Sequence, residues 1–500
     1  MTAQRNIISS LQFTLSQGGI PLYKQLYHQV ISHIKQGKLN AGDRLPGSRV
    51  LADSLGVSRS TVVNGYELLI AEGVLISRSK SGIYVSGDAC LLLEQDRPIK
   101  REEVAETPAL MTFNSGIDAQ AFPQQAWLKS MRASWRTPDP MVLQDNCPTG
   151  LPSLKETIAD YLYQLRGLRC QPEQILMTAG SRDALTLIRH TLEKISPGVH
   201  WLCENPTYPP IRELINSWQL PLQPYSQLSL DHEGCLTPDK NETKPAETTA
   251  SVLTPNRQYP TGTVMSKSRR QQWLDYLQRG KGWLIEDDYD NEFHYSGKSG
   301  IPLMQADPSG RVIFVGSFSK VLFRGLRLGF IVAPIPLCPL LLQSRNELGG
   351  SAALPMQPVV AEFMRNGGFA RHINRMRRHY RQKRDYLLRL CERYLTQWFH
   401  WQQPQGGMHL LILFKKTAEI PGMKEQSVLL DQHITARLHQ QGIRMFPLSA
   451  HFKIAENSGS AKVPQGFVLG FTGPDEQTMT ALVKALAEMM RAVPAAPVTV

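Results

Sequence analysis

The sequence has few cysteines, and none of them lie in a paired pattern. Seven cysteines are scattered through 500 residues, and no two form a C-x-x-C motif. An odd and scattered set argues against a disulfide framework and offers no ligand pair for zinc, so no metal site is expected. Sparse cysteine use of this kind suits a reducing cytosol.

The sequence also lacks a membrane span and a secretory leader. Its longest strongly apolar run, residues 330–342, is broken by Pro334, Pro336 and Pro339, and it falls short of the roughly twenty residues that cross a bilayer. Residues 1–12 contain no basic region followed by a long apolar stretch. We therefore expect a cytoplasmic protein with no membrane partner.

Positive charge exceeds negative charge along the chain. Lys and Arg number 55 against 43 Asp and Glu, for a net charge of +12. Such an excess favours a polyanionic partner, although a merely basic protein would show it equally. The length predicts two or three domains, with room for large cores.

The first ninety residues are patterned as a small helical module with a hairpin. Apolar residues at a spacing of four predict a helix that begins after Pro21, a short helix is predicted over 48–55, and Ser58 is placed to cap a third helix. Two apolar segments then flank a basic turn at 78–82. This order of elements predicts a winged helix-turn-helix domain over residues 15–86.

The predicted DNA contacts follow from the geometry of that fold. The N-terminal turn of the third helix would face base edges in the major groove, the boundary of the second helix would meet phosphates, and the hairpin tip would reach the neighbouring groove. Taken alone, each arginine here is an ordinary surface charge, and the ordered set is the stronger signal. The predicted DNA-binding residues are Arg44, Ser48, Arg49, Ser58, Arg59, Ser60, Thr61, Arg78 and Lys80.

The rest of the chain is patterned as a larger α/β domain. A polar, charged stretch over 87–109 is predicted to be a linker, and a second domain is predicted over 110–500. In that domain short apolar strand candidates, such as Ile175–Thr178, alternate with amphipathic helical stretches, such as Asp183–Ile195. The alternation predicts a three-layer α/β body, in which helices cover both faces of a mainly parallel sheet.

The body carries the residue types that a pyridoxal phosphate site needs. Lys320 can form a Schiff base, and Asp287, at a predicted strand end, can hold a pyridinium nitrogen, unless it is an ordinary strand-end acid. A helix predicted to open after Gly180 favours a phosphate at its N-terminus. The predicted phosphate ligands are Ser181, Arg182, Ser317, Ser319 and Arg327.

The N-terminal pattern resembles the DNA-binding domain of GntR-type bacterial regulators. The resemblance rests on Arg44-Leu45-Pro46-x-Ser48-Arg49, on Leu55-Gly56-Val57-Ser58-Arg59-x-Thr61-Val62 and on Arg78-x-x-Ser81-Gly82. Gly65 departs from the family pattern, because alanine is common at this position of the recognition helix. A glycine there costs up to about 1 kcal/mol of helix stability.

The body resembles the fold type I, aminotransferase-like pyridoxal phosphate enzymes, and a GntR head on such a body is the hallmark of the MocR regulators. The resemblance implies pyridoxal 5′-phosphate as cofactor, with Lys320 forming the internal aldimine and Asp287 pairing with the pyridinium nitrogen. It also implies that Tyr289 and Asn256 reach the phenolic oxygen of the ring. Tyr208 would stack on the ring, with a core tyrosine as the alternative. A head-to-tail homodimer is implied as well.

One departure from active aminotransferases bears on function. Such enzymes often carry an arginine for the substrate carboxylate near residues 467–471, and no arginine occurs here between Arg444 and Arg491. We therefore predict a transcriptional regulator that binds an operator in double-stranded DNA and senses a small-molecule effector, either pyridoxal phosphate or an amino compound. The rival hypothesis is a working aminotransferase that carries a DNA-binding head.

Overall fold

The computed structural model forms two compact units, residues 1–107 and 108–500. The residues it describes are 13–16, 19–79, 81–89, 110–217, 226–238, 248–280, 282–297, 300–350, 352–415, 429–453 and 463–492. The predicted linker over 87–109 lies almost wholly outside the described residues. The predicted domain boundaries on either side of it therefore stay predictions.

The first unit is a winged helix-turn-helix domain, as the sequence predicts. Its β-strands pair antiparallel as the wing, with Leu75 opposite Val85. Between the second and third helices, Gly56 ends the second helix with a φ of 63°, in the left-handed region that glycine tolerates. The elements are α1 (Leu22–Lys35), α2 (Ser48–Leu55), α3 (Arg59–Ala71), β1 (Leu75–Arg78) and β2 (Gly82–Val85).

Helix α3 crosses α1 closely at Gly65. A Cβ atom at Gly65 would lie 3.2 Å from Leu26 Cδ2 and 3.2 Å from the Tyr23 carbonyl oxygen. Val62 and Tyr66, on the same face of α3, are fully buried in the core of this unit. The glycine that weakens the isolated helix therefore permits the two helices to approach.

The second unit is an α/β body. Its helices are α4 (Gln124–Trp135), α5 (Pro140–Leu143), α6 (Pro152–Arg166), α7 (Ser181–Ile195), α8 (Pro209–Ser217), α9 (Lys267–Arg279), α10 (Leu303–Ala306), α11 (Cys338–Leu348), α12 (Gln357–Arg365), α13 (Gly368–Tyr394), α14 (Leu430–Gln440) and α15 (Glu476–Ala492). Its strands are β3 (Met111–Thr112), β4 (Ile175–Thr178), β5 (His200–Asn205), β6 (Ser226–Asp231), β7 (Gly234–Cys235), β8 (Thr249–Leu253), β9 (Trp283–Asp288), β10 (Val312–Ser317), β11 (Gly329–Val332), β12 (Phe399–Trp401), β13 (His409–Phe414), β14 (Ile443–Arg444) and β15 (Gly466–Gly470).

An eight-stranded sheet organises this body, in the order β4-β11-β10-β9-β8-β5-β6-β7. The strands β10, β9, β8, β5 and β6 run parallel, whereas β11 and β7 run antiparallel to their neighbours. In parallel strands the carboxyl ends meet at one edge of the sheet, where ligands of open α/β sheets bind. Strands β4, β8, β9 and β10 all end at this edge.

Apolar side chains cover both faces of the sheet, as the sequence predicts. Along β10, Phe314 belongs to one apolar cluster and its neighbours Ile313 and Val315 to another. Successive residues of a strand point to opposite faces, so each face is buried under its own helices. The short strands β12, β13 and β15 form a separate antiparallel sheet, and β14 pairs with β3. Across the described ranges, no helix combines the length and apolar character needed to cross a membrane.

Candidate functional site

A cavity of about 350 Å³ opens at the carboxyl edge of the central sheet. Every predicted cofactor-binding residue except Asn256 lines this cavity. Residues that the sequence did not single out complete the wall, among them Ser115, Tyr259, Asp290, Arg324 and His409. The predicted residues that line it are Ser181, Arg182, Tyr208, Asp287, Tyr289, Ser317, Ser319, Lys320 and Arg327.

Lys320 follows β10 and turns its amine into the cavity. Its Nζ donates a hydrogen bond to the carbonyl oxygen of Ser115 at 2.8 Å. Burial lowers the pKa of Lys320 to about 8, with Asp290 opposing the shift and Arg324 adding to it. The unprotonated, nucleophilic amine is therefore a much larger fraction of Lys320 at neutral pH than of an ordinary lysine.

Two groups at the end of β9 match the polar atoms of a pyridoxal ring. Burial and, to a smaller extent, the carboxylates of Asp288, Glu204 and Asp290 together raise the pKa of Asp287 to about 7. The Tyr289 hydroxyl is buried and has no hydrogen-bond partner among the described residues. A buried hydroxyl without a partner is costly, so its presence beside the cavity fits a ligand that supplies one.

The turn that opens α7 lines the cavity and suits an anion. Helix α7 begins at Ser181, directly after Gly180 at a φ of 111°, and both residues line the cavity. The first N–H groups of a helix have no partner within it and favour an anion. Asp183 already accepts the Ala179 N–H at 2.8 Å, which fixes the turn. Arg182 and Arg327 also line the cavity and add positive charge.

Asn256 is not among the residues that line the cavity, and its contact with the phenolic oxygen stays a prediction. Its amide donates to Glu286 at 3.0 Å, and its carbonyl oxygen accepts from Arg270 at 2.8 Å. The buried Glu286 and the half-buried Arg270 therefore hold this side chain from both of its polar atoms. Tyr259 lines the cavity instead. Tyr259 lies three residues after Asn256 in the same motif, at a position that the sequence did not single out.

Tyr259 lies at the centre of an aromatic cluster. Its ring meets the edges of Tyr208, Tyr289 and His409 at centroid distances of 5.2, 5.9 and 5.0 Å. Burial lowers the pKa of His409 to about 4, so this histidine is neutral at physiological pH. Tyr208 keeps 38% of its surface exposed at the cavity mouth, which argues against the alternative of a core tyrosine.

Asp290 is a cavity acid that sequence reasoning missed. Its carboxylate is buried and pairs with Arg257, whose Nε lies 3.2 Å from Oδ1. Burial raises the pKa of Asp290, and the positive charges of Arg257 and Lys320 oppose that shift. The acidic run Asp287-Asp288-Tyr289-Asp290 contained the signal, but the sequence does not reveal which of its carboxylates face the lysine.

In the first unit, the predicted base-reading residues cluster at the N-terminus of α3. Ser58 caps the helix by accepting the Thr61 N–H at 3.2 Å, and its hydroxyl lies 2.8 Å from that of Ser60. Arg59 is exposed, with its Nε 3.4 Å from the Ser48 hydroxyl. Helix α3 therefore presents an exposed cation and several hydroxyls at its positive end.

The remaining predicted DNA contacts lie before α2, on α2 and on the wing. Arg44 and Arg49 are exposed, and the Arg44 side chain packs against Gly82. Arg78 stacks over the Tyr84 ring at 4.8 Å from the centroid, which orients its guanidinium on the wing. Lys80 lies outside the described residues.

Both units match known families. Residues 22–85 match "Bacterial regulatory proteins, gntR family", and residues 131–460 match "Aminotransferase class I and II". Over 479 residues the chain is 32% identical to the "Probable rhizopine catabolism regulatory protein MocR" of Rhizobium meliloti, with 92% of each chain covered. The chain belongs to the MocR-type regulators of the GntR family.

Other similarities agree with this MocR-type assignment. The chain is 31% identical over 458 residues to the "HTH-type pyridoxine biosynthesis transcriptional regulator PdxR" of Corynebacterium glutamicum, covering 91% of this chain and 93% of the relative. A kynurenine aminotransferase of Pyrococcus horikoshii matches at a TM-score of 0.65 and 24% identity, covering 78% and 93% of the two chains. This structural likeness shows the fold of the body. Membership of the aminotransferase family implies pyridoxal 5′-phosphate as the cofactor, which confirms the sequence prediction.

Proposed function

We propose that this MocR-type regulator holds pyridoxal phosphate at Lys320 and senses either the cofactor itself or an amino compound that competes with Lys320 for it. The observation that carries the proposal is the convergence of Lys320, Asp287 and Tyr289 on one cavity. This cavity lies in a chain whose other unit is a winged helix-turn-helix domain. The ligand site and the DNA-binding surface therefore belong to one regulator.

Each cavity residue has a proposed role. When bound, pyridoxal phosphate supplies an aldehyde carbon that a primary amine can capture and an electron-withdrawing ring. Lys320 supplies the amine, and Asp287 accepts the hydrogen of the protonated ring nitrogen, whose positive charge favours the ionised carboxylate. The Tyr289 hydroxyl donates to the phenolic oxygen, and Tyr208 stacks on the ring face.

The phosphate is assigned to the basic end of the cavity. The N–H groups that open α7 donate to it, together with the hydroxyls of that turn and of the Ser-x-Ser turn before Lys320. The arginines supply charge-assisted hydrogen bonds. The residues proposed for this role are Ser181, Arg182, Ser317, Ser319 and Arg327.

We assign to the N-terminal unit the binding of an operator in double-stranded DNA. Arg59 reads a base edge, with Ser58, Ser60 and Thr61 beside it, and the exposed cations of α2 and the wing meet the backbone. Resemblance to the family supports a head-to-tail homodimer, whose two heads would meet two half-sites. An effector that binds one dimer arrangement better than another shifts the population between them and thereby changes DNA affinity.

Catalytic transamination is the second candidate, since it needs Lys320, Asp287 and Tyr289 as well. Strand β15, near which active enzymes often place the carboxylate arginine, is buried and contains no charged residue. A bidentate guanidinium aligns a substrate carboxylate, and its absence at this strand disfavours proton transfer at the α-carbon. The sensor is therefore the better supported function.

A spectrum of the purified protein tests the cofactor site. Wild type mixed with pyridoxal phosphate should develop the visible absorbance of lysine-bound cofactor, and Lys320→Ala should lose it while staying folded. Lys194→Ala is the matched control, because Lys194 lies on α7 outside the cavity and pairs with Glu347. An unchanged visible spectrum in Lys320→Ala would move the cofactor to another lysine.

A further inference from the structure

The Lys320 amine hydrogen-bonds a backbone group at the start of the body. Its partner, the Ser115 carbonyl, belongs to residues 111–118, which we term the N-terminal strap. The chain reaches this strap directly from the predicted linker. The bond spans 205 positions in sequence and measures 2.8 Å. It therefore joins the cofactor lysine to the segment that follows the DNA-binding unit in the chain.

The strap is otherwise anchored away from the central sheet. β3 pairs with β14, Thr472 Oγ1 donates to the Gly116 carbonyl at 2.6 Å, and Asp118 pairs with Lys383 at 2.8 Å. Gly473 approaches Asn114 so closely that a Cβ atom would overlap its side chain. In the described part of the chain, Lys320 makes the only hydrogen bond from the central-sheet region, 175–332, to this strap.

Covalent capture of Lys320 is incompatible with this hydrogen bond. When a primary amine condenses with an aldehyde, a C=N bond forms and one water leaves, carrying both hydrogens of the neutral amine and the aldehyde oxygen. The nitrogen is then tied to the ligand and, as a neutral C=N group, has no hydrogen left to donate. If another primary amine takes over the C=N bond, Lys320 recovers its NH₂ group and can donate again.

We propose that the Lys320–Ser115 hydrogen bond is the switch that reports the state of the cofactor site to the N-terminal strap. The bond is made when Lys320 is free or has been displaced by an amine effector, and it is broken when the cofactor holds Lys320. The strap therefore has one hydrogen bond fewer in the cofactor-bound state, and binding of the effector restores that bond. This inference rests on the proposed function.

Hydrogen exchange of strap amides in the full-length protein tests the switch. Wild type is measured alone, with pyridoxal 5′-phosphate, and with pyridoxine 5′-phosphate, whose hydroxymethyl group cannot capture a lysine. Loss of one hydrogen bond should speed exchange over 111–118 about threefold to tenfold with pyridoxal phosphate relative to pyridoxine phosphate.

Two substitutions separate the ability of residue 320 to donate a hydrogen bond from its ability to form the C=N bond. Lys320→Met removes both abilities, so its strap should exchange fast under all three conditions. Lys320→Arg keeps a donor that cannot be captured, so its strap should stay protected under all three. Equal exchange with the two phosphates, in a wild-type sample whose visible spectrum shows lysine capture, would overturn the switch alone. A wild-type sample with no visible absorbance would overturn the proposed function and the switch with it.

Discussion

The Nε atom of Arg257 lies 3.2 Å from Oδ1 of Asp290, and both side chains are buried. Asp290 lines the cavity beside Lys320, and each of these charges affects the pKa of the other. Burying a carboxylate costs several kcal/mol unless it is compensated. Arg257 therefore allows the cavity to hold a negative charge next to its lysine.

Replacing Arg257 alone should destabilise the body more than replacing Arg257 and Asp290 together. Arg257→Leu leaves Asp290 buried without its counter-ion and should lower the unfolding free energy of the body by about 3–5 kcal/mol. Adding Asp290→Asn should recover most of that loss. The measurement is urea unfolding of the four proteins of this double-mutant cycle. Additive losses would mean that the two side chains do not interact.

Asp287→Asn should stabilise the cofactor-free protein at alkaline pH. The pKa of Asp287 is raised from 3.8 to about 7, so its favourable contribution is present below pH 3.8 and is lost as pH rises through 7. A shift of this size corresponds to a penalty on the order of 4 kcal/mol at pH 8, which a neutral amide avoids.

Unfolding of Asp287→Asn and wild type at pH 4 and pH 8 measures this effect. The variant should be the more stable protein at pH 8 only, and it should bind pyridoxal phosphate more weakly. A variant that is less stable than wild type at both pH values would contradict the assigned cause of the shift, which is burial among carboxylates.

Arg59→Ala should weaken operator binding selectively. Loss of a base contact costs about 1–3 kcal/mol on the operator and little on random DNA. Arg49→Ala, at the start of α2, is the matched control, since loss of a phosphate contact lowers affinity for all sequences and flattens the salt dependence. Titrations of both variants on both DNAs give the comparison. Equal losses for Arg59→Ala on the two DNAs would reduce its role to a phosphate contact.

Transamination should be slow or absent. Mixing the protein with an L-amino acid and a 2-oxo acid should give half-reactions at most, because β15 offers no arginine to align the α-carboxylate. Stopped-flow absorbance and product analysis would follow the reaction. Sustained turnover on the order of one per second or faster would favour the aminotransferase.

Local sequence patterns predicted the helices and strands, because the residues within each element largely determine which of the two it forms. The Ser58 cap predicted the start of the recognition helix, and a run of apolar residues predicted strand β10. The Asn256 amide donates to the buried carboxylate of Glu286, a partner 30 positions away that the sequence did not reveal. The sequence predicted only that Gly65 would lower the stability of helix α3. Its role in the close crossing with α1 could not be predicted, because that crossing is a tertiary contact.

The parts of the site that the sequence concealed depend on backbone groups and distant partners. Ser115 takes part through its carbonyl oxygen, which any residue would provide, so its side chain carries no signal. Asp290 belongs to a visible acidic run, but only the fold brings Arg257 to it. Side-chain chemistry at strand ends was therefore predictable, whereas the groups that tune Lys320 were not.

The most direct test of the central claim follows the visible spectrum and operator affinity in the same samples. The cofactor-loaded protein is titrated with a panel of primary amines and amino acids. We predict that a ligand which shifts the spectrum also changes the operator Kd about fivefold or more, with both changes following one binding curve. Lys320→Ala should show neither. A ligand that saturates the spectral change and leaves the operator Kd unaltered would contradict the account.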